Sequence, residues 1–229
     1  MAGTSRKARR VSDILKYCPT CSRSTDDARF IGEFCEFCVI EKISAGIQDK
    51  AQIDRCRSCE RIRTPEGFDD FSLEAMAESL KHELHLGQCE VKVTAFDTHT
   101  MQAAVRITSE YEDERVTFEK QVHVKFRRMM CQRCYRQSSG YYEALVQLRG
   151  NERTVENVAA SITKFIEARG SFLSKTEKVR GGYDVYIGDK EAANQYFMLH
   201  NTLRPTRSYK LFGVKKGKKL FRNIYALHM

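Results

Sequence analysis

The chain contains no run of about eighteen or more apolar residues, so no segment of it reads as a helix that spans a bilayer. Its first residues, Met1 to Lys16, are basic but lack the apolar core of a secretory signal, and the expectation is an intracellular, cytoplasmic protein with no membrane partner. There is no glycine-rich phosphate loop ending in Lys-Ser/Thr, and no Gly-x-Ser-x-Gly. His82, His85, His99, His123, His200 and His228 fall in no triad-like setting. These absences argue against nucleotide hydrolysis and acyl transfer, and point to a protein that binds rather than catalyses. Acids are missing from two stretches, between Glu119 and Glu143 and everywhere after Glu191. A solvated face ordinarily mixes signs, so each gap marks a surface of one charge.

What is present narrows the class further. The 229 residues suffice for one large domain or two ordinary ones, and 41% hydrophobic with 30% charged residues suits a globular chain. The formal net charge of +9 favours a polyanionic partner, nucleic acid first. Cysteine is the most informative residue. Four Cys-x-x-Cys pairs occur in order: Cys18/Cys21, Cys35/Cys38, Cys56/Cys59 and Cys131/Cys134. Two thiols on one tight turn point at a common centre, and two such turns make a tetrahedral thiolate cage for zinc. In a reducing compartment these pairs read as zinc ligands rather than disulfides, and eight ligands build cages for two ions. All-thiolate cages are closed and structural, whereas catalytic zinc keeps an open position. Cys89 has no partner at this spacing and reads as a small buried residue.

Pairing of the turns has two solutions. Cys18, Cys21, Cys35 and Cys38 form one local cage, which leaves Cys56 and Cys59 to meet Cys131 and Cys134. The interleaved alternative joins Cys18/Cys21 to Cys56/Cys59 and Cys35/Cys38 to Cys131/Cys134. Local pairing costs less loop-closure entropy, but spacing alone admits both.

Between the second and fourth pairs the pattern is regular. Val39, Ile40 and Ile43 suit a short helix within 39–50 that packs on the first site. Leu73, Met76, Leu80 and Leu84 recur at helical spacing behind Ser72 as N-cap, with Gly87 after the last turn, and predict a helix over 72–86. Val91, Val93 and Ala95 alternate, then Ala103, Val105 and Ile107, then Val116, Phe118, Val122, Val124 and Phe126 with a break near Glu119. Turns at Asp97–His99 and Glu110–Glu114 make this an antiparallel meander. Beyond Cys134, a strand at Tyr142–Leu148 precedes a helix capped by Thr154 with Val155, Val158, Ile162, Phe165 and Ile166 on one face. A hairpin around Arg180-Gly181-Gly182 and a helix over 190–203, with Ala192, Tyr196, Leu199 and Leu203 inward, follow. Strands at Ser208–Val214 and Leu220–Leu227 close the chain. That order is the split βαββαβ of a ferredoxin-like sandwich with one extra terminal strand. The fold class is α+β: a basic tail over 1–16, a two-zinc domain over 17–139 with a helix-and-meander insert at 60–130, and a ferredoxin-like domain over 140–229.

Two cationic surfaces are expected to meet RNA. One comprises Lys125, Arg127, Arg128, Arg133, Tyr135 and Arg136 beside the fourth cysteine pair. The other comprises Arg204, Arg207, Lys210, Lys215, Lys216, Lys218, Lys219 and Arg222, interleaved with Tyr209, Phe212, Phe221 and Tyr225. True phosphate contacts would make binding steeply salt-dependent.

The four ordered pairs, with the fourth running Cys131-Gln-Arg-Cys134-Tyr-Arg and on into Gly140-Tyr141-Tyr142-Glu143-Ala144, resemble the large-subunit (60S) ribosomal export adaptor family. Arg180-Gly181-Gly182-Tyr183-Asp184-Val185-Tyr186 is similar to a later segment of the same family. The likeness spans Tyr17 to Arg222. It implies a monomeric, non-enzymatic factor that binds the large ribosomal subunit, through rRNA and ribosomal proteins, in late assembly, quality control or subunit storage. The sequence ends at Met229 without the further β-rich module or leucine-rich export tail of longer members, which is expected of the short archaeal-type form. The competing reading is a free zinc-dependent RNA- or DNA-binding factor in processing or transcription.

Overall fold

A two-residue-per-strand hairpin, β1 (Phe30–Ile31) and β2 (Phe34–Cys35), opens directly into α1 (Glu36–Ala45). The structure is a computed structural model that describes residues 15–229; the basic stretch expected at 1–16 lies outside them up to residue 14, as does the side chain of Lys215. By packing, the chain forms two compact units, Met1–Met129 and Met130–Met229.

The first unit is built on a six-stranded sheet. Its strands are β3 (Lys50–Cys56), β4 (Ile62–Thr64), β5 (Gly67–Asp69), β6 (Glu90–Asp97), β7 (Gln102–Tyr111) and β8 (Glu114–Met129), ordered β5-β4-β3-β8-β7-β6. The expected meander is β6–β7–β8, antiparallel throughout. Parallel pairing of β3 with β8, from Lys50↔His123 to Cys56↔Met129, extends it. The helix α2 (Leu73–Glu83) starts where Ser72 Oγ accepts from the Ala75 amide at 3.0 Å. It presses Met76, Ala77 and Leu80 onto Ile53, Ile62, Val105, Ile107 and Val124. Met76 and Leu80 each contribute about 1.5–3 kcal/mol by leaving water. Leu73, expected on the same face, is 37% exposed because it sits in the first turn, ahead of the packed segment.

Two departures from simple alternation have local causes. A bulge between Val93 and Ala95 shifts the register, so Phe96 rather than Ala95 turns to the buried face. There it meets Phe71 and Phe126 at centroid distances of 6.1 and 6.0 Å. The break expected near Glu119 does not occur. β8 runs unbroken through it, and Lys120 occupies the inward phase between Phe118 and Val122. Its side chain is mostly buried, with Nζ 2.7 Å from Asp49 Oδ1 and donating to the Ser44 carbonyl at 2.9 Å. A buried ammonium needs such partners to offset its lost hydration. The acidic turn is a two-residue connection, Glu112–Asp113, with φ of +48° and +64°, the left-handed pair that matches strand twist in a tight hairpin.

The second unit contains α3 (Gln132–Ser138), β9 (Ala144–Arg149), α4 (Glu152–Ala168), β10 (Leu173–Val179), β11 (Gly182–Ile187), α5 (Lys190–Leu199), β12 (Thr206–Lys215) and β13 (Lys218–His228). Asn151, not Thr154, caps α4, accepting from the Arg153 amide at 3.1 Å, so the helix begins earlier than its apolar periodicity suggests. Val155, Ile162 and Ile166 are buried as expected, with Val158 and Phe165 packed beside them. Leu203 also packs on this core, whereas Leu199 is 63% exposed at the end of α5.

The sheet order is β10-β11-β9-β13-β12. The βαββαβ framework holds, and the extra strand takes an interior place. β13 lies beside β9, parallel to it from Asn223↔Ala144 to His228↔Arg149, and displaces β12 to the edge. Tyr225 and Leu227 of β13 are buried, whereas Tyr209, Leu211, Phe212 and Val214 of β12 are exposed. The strand that can bury its apolar residues takes the interior position.

Candidate metal centres

The eight paired cysteines gather into two groups, Cys18–Cys21–Cys35–Cys38 and Cys56–Cys59–Cys131–Cys134, in each of which the sulfurs lie within 4.8 Å of one another. This is the local pairing of the two that spacing admits. Four sulfurs about 2.3 Å from one tetrahedral zinc stand roughly 3.8 Å apart, so both groups fit the ion in donor type, number and spacing. Each can hold zinc. Cys89 belongs to neither group and is half-buried against the first unit's core.

Each group combines two turns of different construction. Cys18 and Cys56 begin matching knuckles: the Cys18 amide donates to Arg23 O and the Ser22 amide to Cys18 O, both at 2.8 Å. At the same offsets, the Cys56 amide donates to Arg61 O at 2.8 Å and the Glu60 amide to Cys56 O at 3.0 Å. Ser22 and Glu60 supply the left-handed residue that each turn needs, with φ of +59° and +61°. Cys35 and Cys131 instead sit as N-caps of α1 and α3. Cys131 Sγ accepts from the Cys134 amide at 3.5 Å. The pattern Cys-x-x-Cys-x-Arg occurs in Cys18–Arg23 and Cys56–Arg61 but also in Cys131–Arg136, which opens a helix, so the sequence alone does not separate the two turn types.

Backbone amides prepare the thiolates. A hydrogen bond from the Cys35 backbone draws the Cys18 thiol down to about 6, while the neighbouring Cys21 thiol pushes that of Cys38 well up. Negative charge is thus welcome at the centre but cannot be held by all four sulfurs without a cation. Arg23 lies close by, with Nη1 3.9 Å from Cys21 Sγ and its guanidinium 4.7 Å from the centre of the Phe37 ring.

The cationic residues distribute less simply than their linear run suggests. On β8, Lys125 and Arg127 share the solvent face, but Arg127 is clamped to Asp54 by bonds of 2.6 and 3.0 Å. Arg128 points to the opposite face, 3.8 Å from Glu60. Lys120 is internal. Within the second unit, Arg133 donates to Ser171 O at 2.9 Å and Arg136 lies 5.0 Å from the Tyr141 ring centre, while Tyr135 is exposed. On β8, Arg127 and Arg128 do not share one free face, and their acids arrive from β3 and the second knuckle.

The C-terminal residues are arranged otherwise. β13 pairs with β9 only from Asn223 onward, so Lys210–Lys215 and Lys218–Arg222 continue as a two-stranded ribbon with no third strand. Tyr209, Leu211, Phe212, Leu220 and Phe221 are exposed along it. None of Lys210, Lys216, Lys218 or Lys219 makes an ion pair among the described residues. Arg204 is exposed, and Arg207 lies 5.6 Å from the Tyr225 ring centre. Arg222 differs from the lysines: its guanidinium is 3.8 Å from the centres of both the Tyr142 and Phe212 rings, and it anchors the ribbon.

An acidic group, Glu143, Asp189 and Glu191, gathers in the second unit. Tyr141 already donates to Glu143 at 2.6 Å, and Arg133 and Arg136 line the same cleft, so cationic charge is supplied by the protein itself.

Two tetracysteine groups on an α+β scaffold define a cysteine-knuckle protein, and no helix among the described residues is long and apolar enough to cross a membrane. The family model described as NMD3, N-terminal domain, matches residues 18–139, and that described as NMD3, second domain, matches residues 141–229. The chain belongs to the NMD3 family, the 60S ribosomal export adaptors, whose members are ribosome-associated factors and are not known as enzymes. No curated protein matches the chain.

Proposed function

We propose that this protein is a non-enzymatic factor that binds the large ribosomal subunit, touching rRNA and neighbouring ribosomal proteins, during late assembly, quality control or subunit storage. The observation that carries the reading is the C-terminal ribbon. Among the described residues, Lys210, Lys216, Lys218 and Lys219 make no ion pair, and Tyr209, Phe212 and Phe221 are exposed beside them. Unneutralised cations release counterions when they meet phosphate, and adjacent rings stack on unpaired bases. Lys125, Arg128, Arg133, Tyr135, Arg136, Arg204 and Arg207 complete the contact set, with Lys215 on the ribbon strand. Zinc, one ion in each tetrathiolate group, holds the knuckles as fixed projections. The factor acts as a cytoplasmic monomer.

Co-sedimentation with isolated large and small subunits across a salt series tests the proposal. Selective recovery with large subunits, falling steeply with salt, is the expected result. Equal partitioning between the two subunits would sink it. Tight binding to short single-stranded RNA without ribosomes would favour a free RNA-binding factor.

A further inference from the structure

The first unit of this strongly cationic chain carries an acidic recess. Between Arg63 and Lys81 there is no base, while Glu66, Asp69, Asp70, Glu74 and Glu78 all occur. In the first unit these carboxylates line a single cleft of about 710 Å³. The turn and ends of the β4–β5 hairpin form one part of its wall, the first turns of α2 another, and Val91, Lys92 and Val93 of β6 the remainder. Leu73, Ala75, Ala77, Val91 and Val93 give it apolar lining. Some of the acids are already engaged: Arg61 pairs with Asp70 at 2.8 Å, and Thr64 donates to Asp69 at 2.7 Å. Glu66, Glu74 and Glu78 are exposed and have no ion pair among the described residues. The lone base in the lining, Lys92, is bound to Glu90 at 2.9 Å.

Backbone chemistry adds a second requirement. β5 and β6 are the two edges of the six-stranded sheet, and both border this cleft. β6 bonds only to β7, so alternate amides and carbonyls along its other side have no ladder partner. An edge strand with no second ladder partner, flanked by α2 and beside apolar pockets and carboxylates without ion pairs among the described residues, suits an extended peptide. Its main chain would pair with the strand, its alternate apolar side chains would enter the lining, and its cations would meet the glutamates.

We propose that this cleft docks an extended lysine- and arginine-rich segment of another protein, adding it as a strand to β6. Charge complementarity selects the occupant: a basic peptide satisfies Glu66, Glu74 and Glu78, whereas RNA would be repelled by them. The site is separate from the cationic ribbon and stands without the RNA contacts proposed above.

Fluorescence anisotropy on the full chain tests the docking, with a labelled peptide of about ten residues alternating lysine and valine. The wild type should bind it in a saturable, salt-sensitive manner, and the triple variant E66Q/E74Q/E78Q should bind about tenfold or more weakly. Amides of β6 should gain protection from hydrogen exchange on binding. A scrambled peptide with clustered lysines should bind less well. Equal affinity for wild type and triple variant, or protection confined to other strands, would overturn the proposal. So would binding that appears only after removal of residues 1–14, because Arg6, Lys7, Arg9 and Arg10 would then be the occupant. All three substitutions are at exposed positions, and an unchanged melting temperature confirms that the variant folds.

Discussion

The guanidinium of Arg222 stacks 3.8 Å from the centre of the Tyr142 ring, and its Nε donates to the Tyr142 carbonyl at 2.9 Å. One residue of a cationic ribbon is thereby spent on holding the ribbon to its sheet. Arg222→Ala should destabilise the second unit by about 1–3 kcal/mol, from a lost cation–π contact and a carbonyl left without its donor. Lys218→Ala with Lys219→Ala should leave the melting temperature unchanged and weaken binding to large subunits. Denaturant titration and co-sedimentation on the same variants separate the two roles.

Arg127 and Arg128 are adjacent in sequence and opposite in consequence. Asp54 is mostly buried, and Arg127 satisfies it through both nitrogens. Arg127→Ala should lower the midpoint of urea unfolding because it leaves that carboxylate without its charged partner. Arg128, exposed and 3.8 Å from Glu60, should change stability by less than about 0.5 kcal/mol when replaced by Ala.

Metal analysis of purified protein should find two zinc ions per chain. Chelation should abolish the cooperative unfolding of the first unit, since structural zinc supplies roughly 10 to 16 kcal/mol of apparent binding energy to small sites. Cys35→Ser and Cys131→Ser should each lose about one equivalent of metal. A fully loaded Cys131→Ser protein would show that the second group is not a zinc cage.

Tyr141 and Tyr186 should titrate late. Burial, followed by hydrogen bonds to Glu143 and Glu177 respectively, pushes both phenols up to about 12. Their folded pKa values lie above the unfolded value near 10, so the stability they contribute is complete below pH 10 and is lost as pH rises towards 12. Absorbance of tyrosinate followed against pH should show two late phenols, and Glu143→Gln should bring one of them earlier.

Much of this fold is legible along the chain because its signals are local. Cysteine spacing, the Ser72 cap and the alternation of Val105 with Ile107 each report on a few neighbouring residues. The errors arise where partners come from far away. Lys120 breaks an apolar alternation, and only Asp49 and the Ser44 carbonyl, supplied from another part of the chain, explain why the strand continues through it. The charge run near Arg127 looks free because Asp54 sits seventy-three residues away. Asn151 outcompetes Thr154 as a cap because periodicity marks the buried face, not the exposed first turn. The order of β12 and β13 depends on which strand can bury Tyr225 and Leu227, and that is a property of the assembled sheet.

The interior position of β13 also sets the timing of folding. β9 has β11 on one side, but its other neighbour is a strand some eighty residues later, paired from Asn223 to His228. Contacts of such separation form slowly, after local turns and helices. On a translating ribosome, the second unit cannot close its sheet until that last strand has left the exit tunnel. The ribbon of Lys210–Lys215 and Lys218–Arg222 therefore becomes a firm projection only after the Asn223–His228 strand has docked on β9, and a nascent chain presents its lysines without the geometry that would aim them.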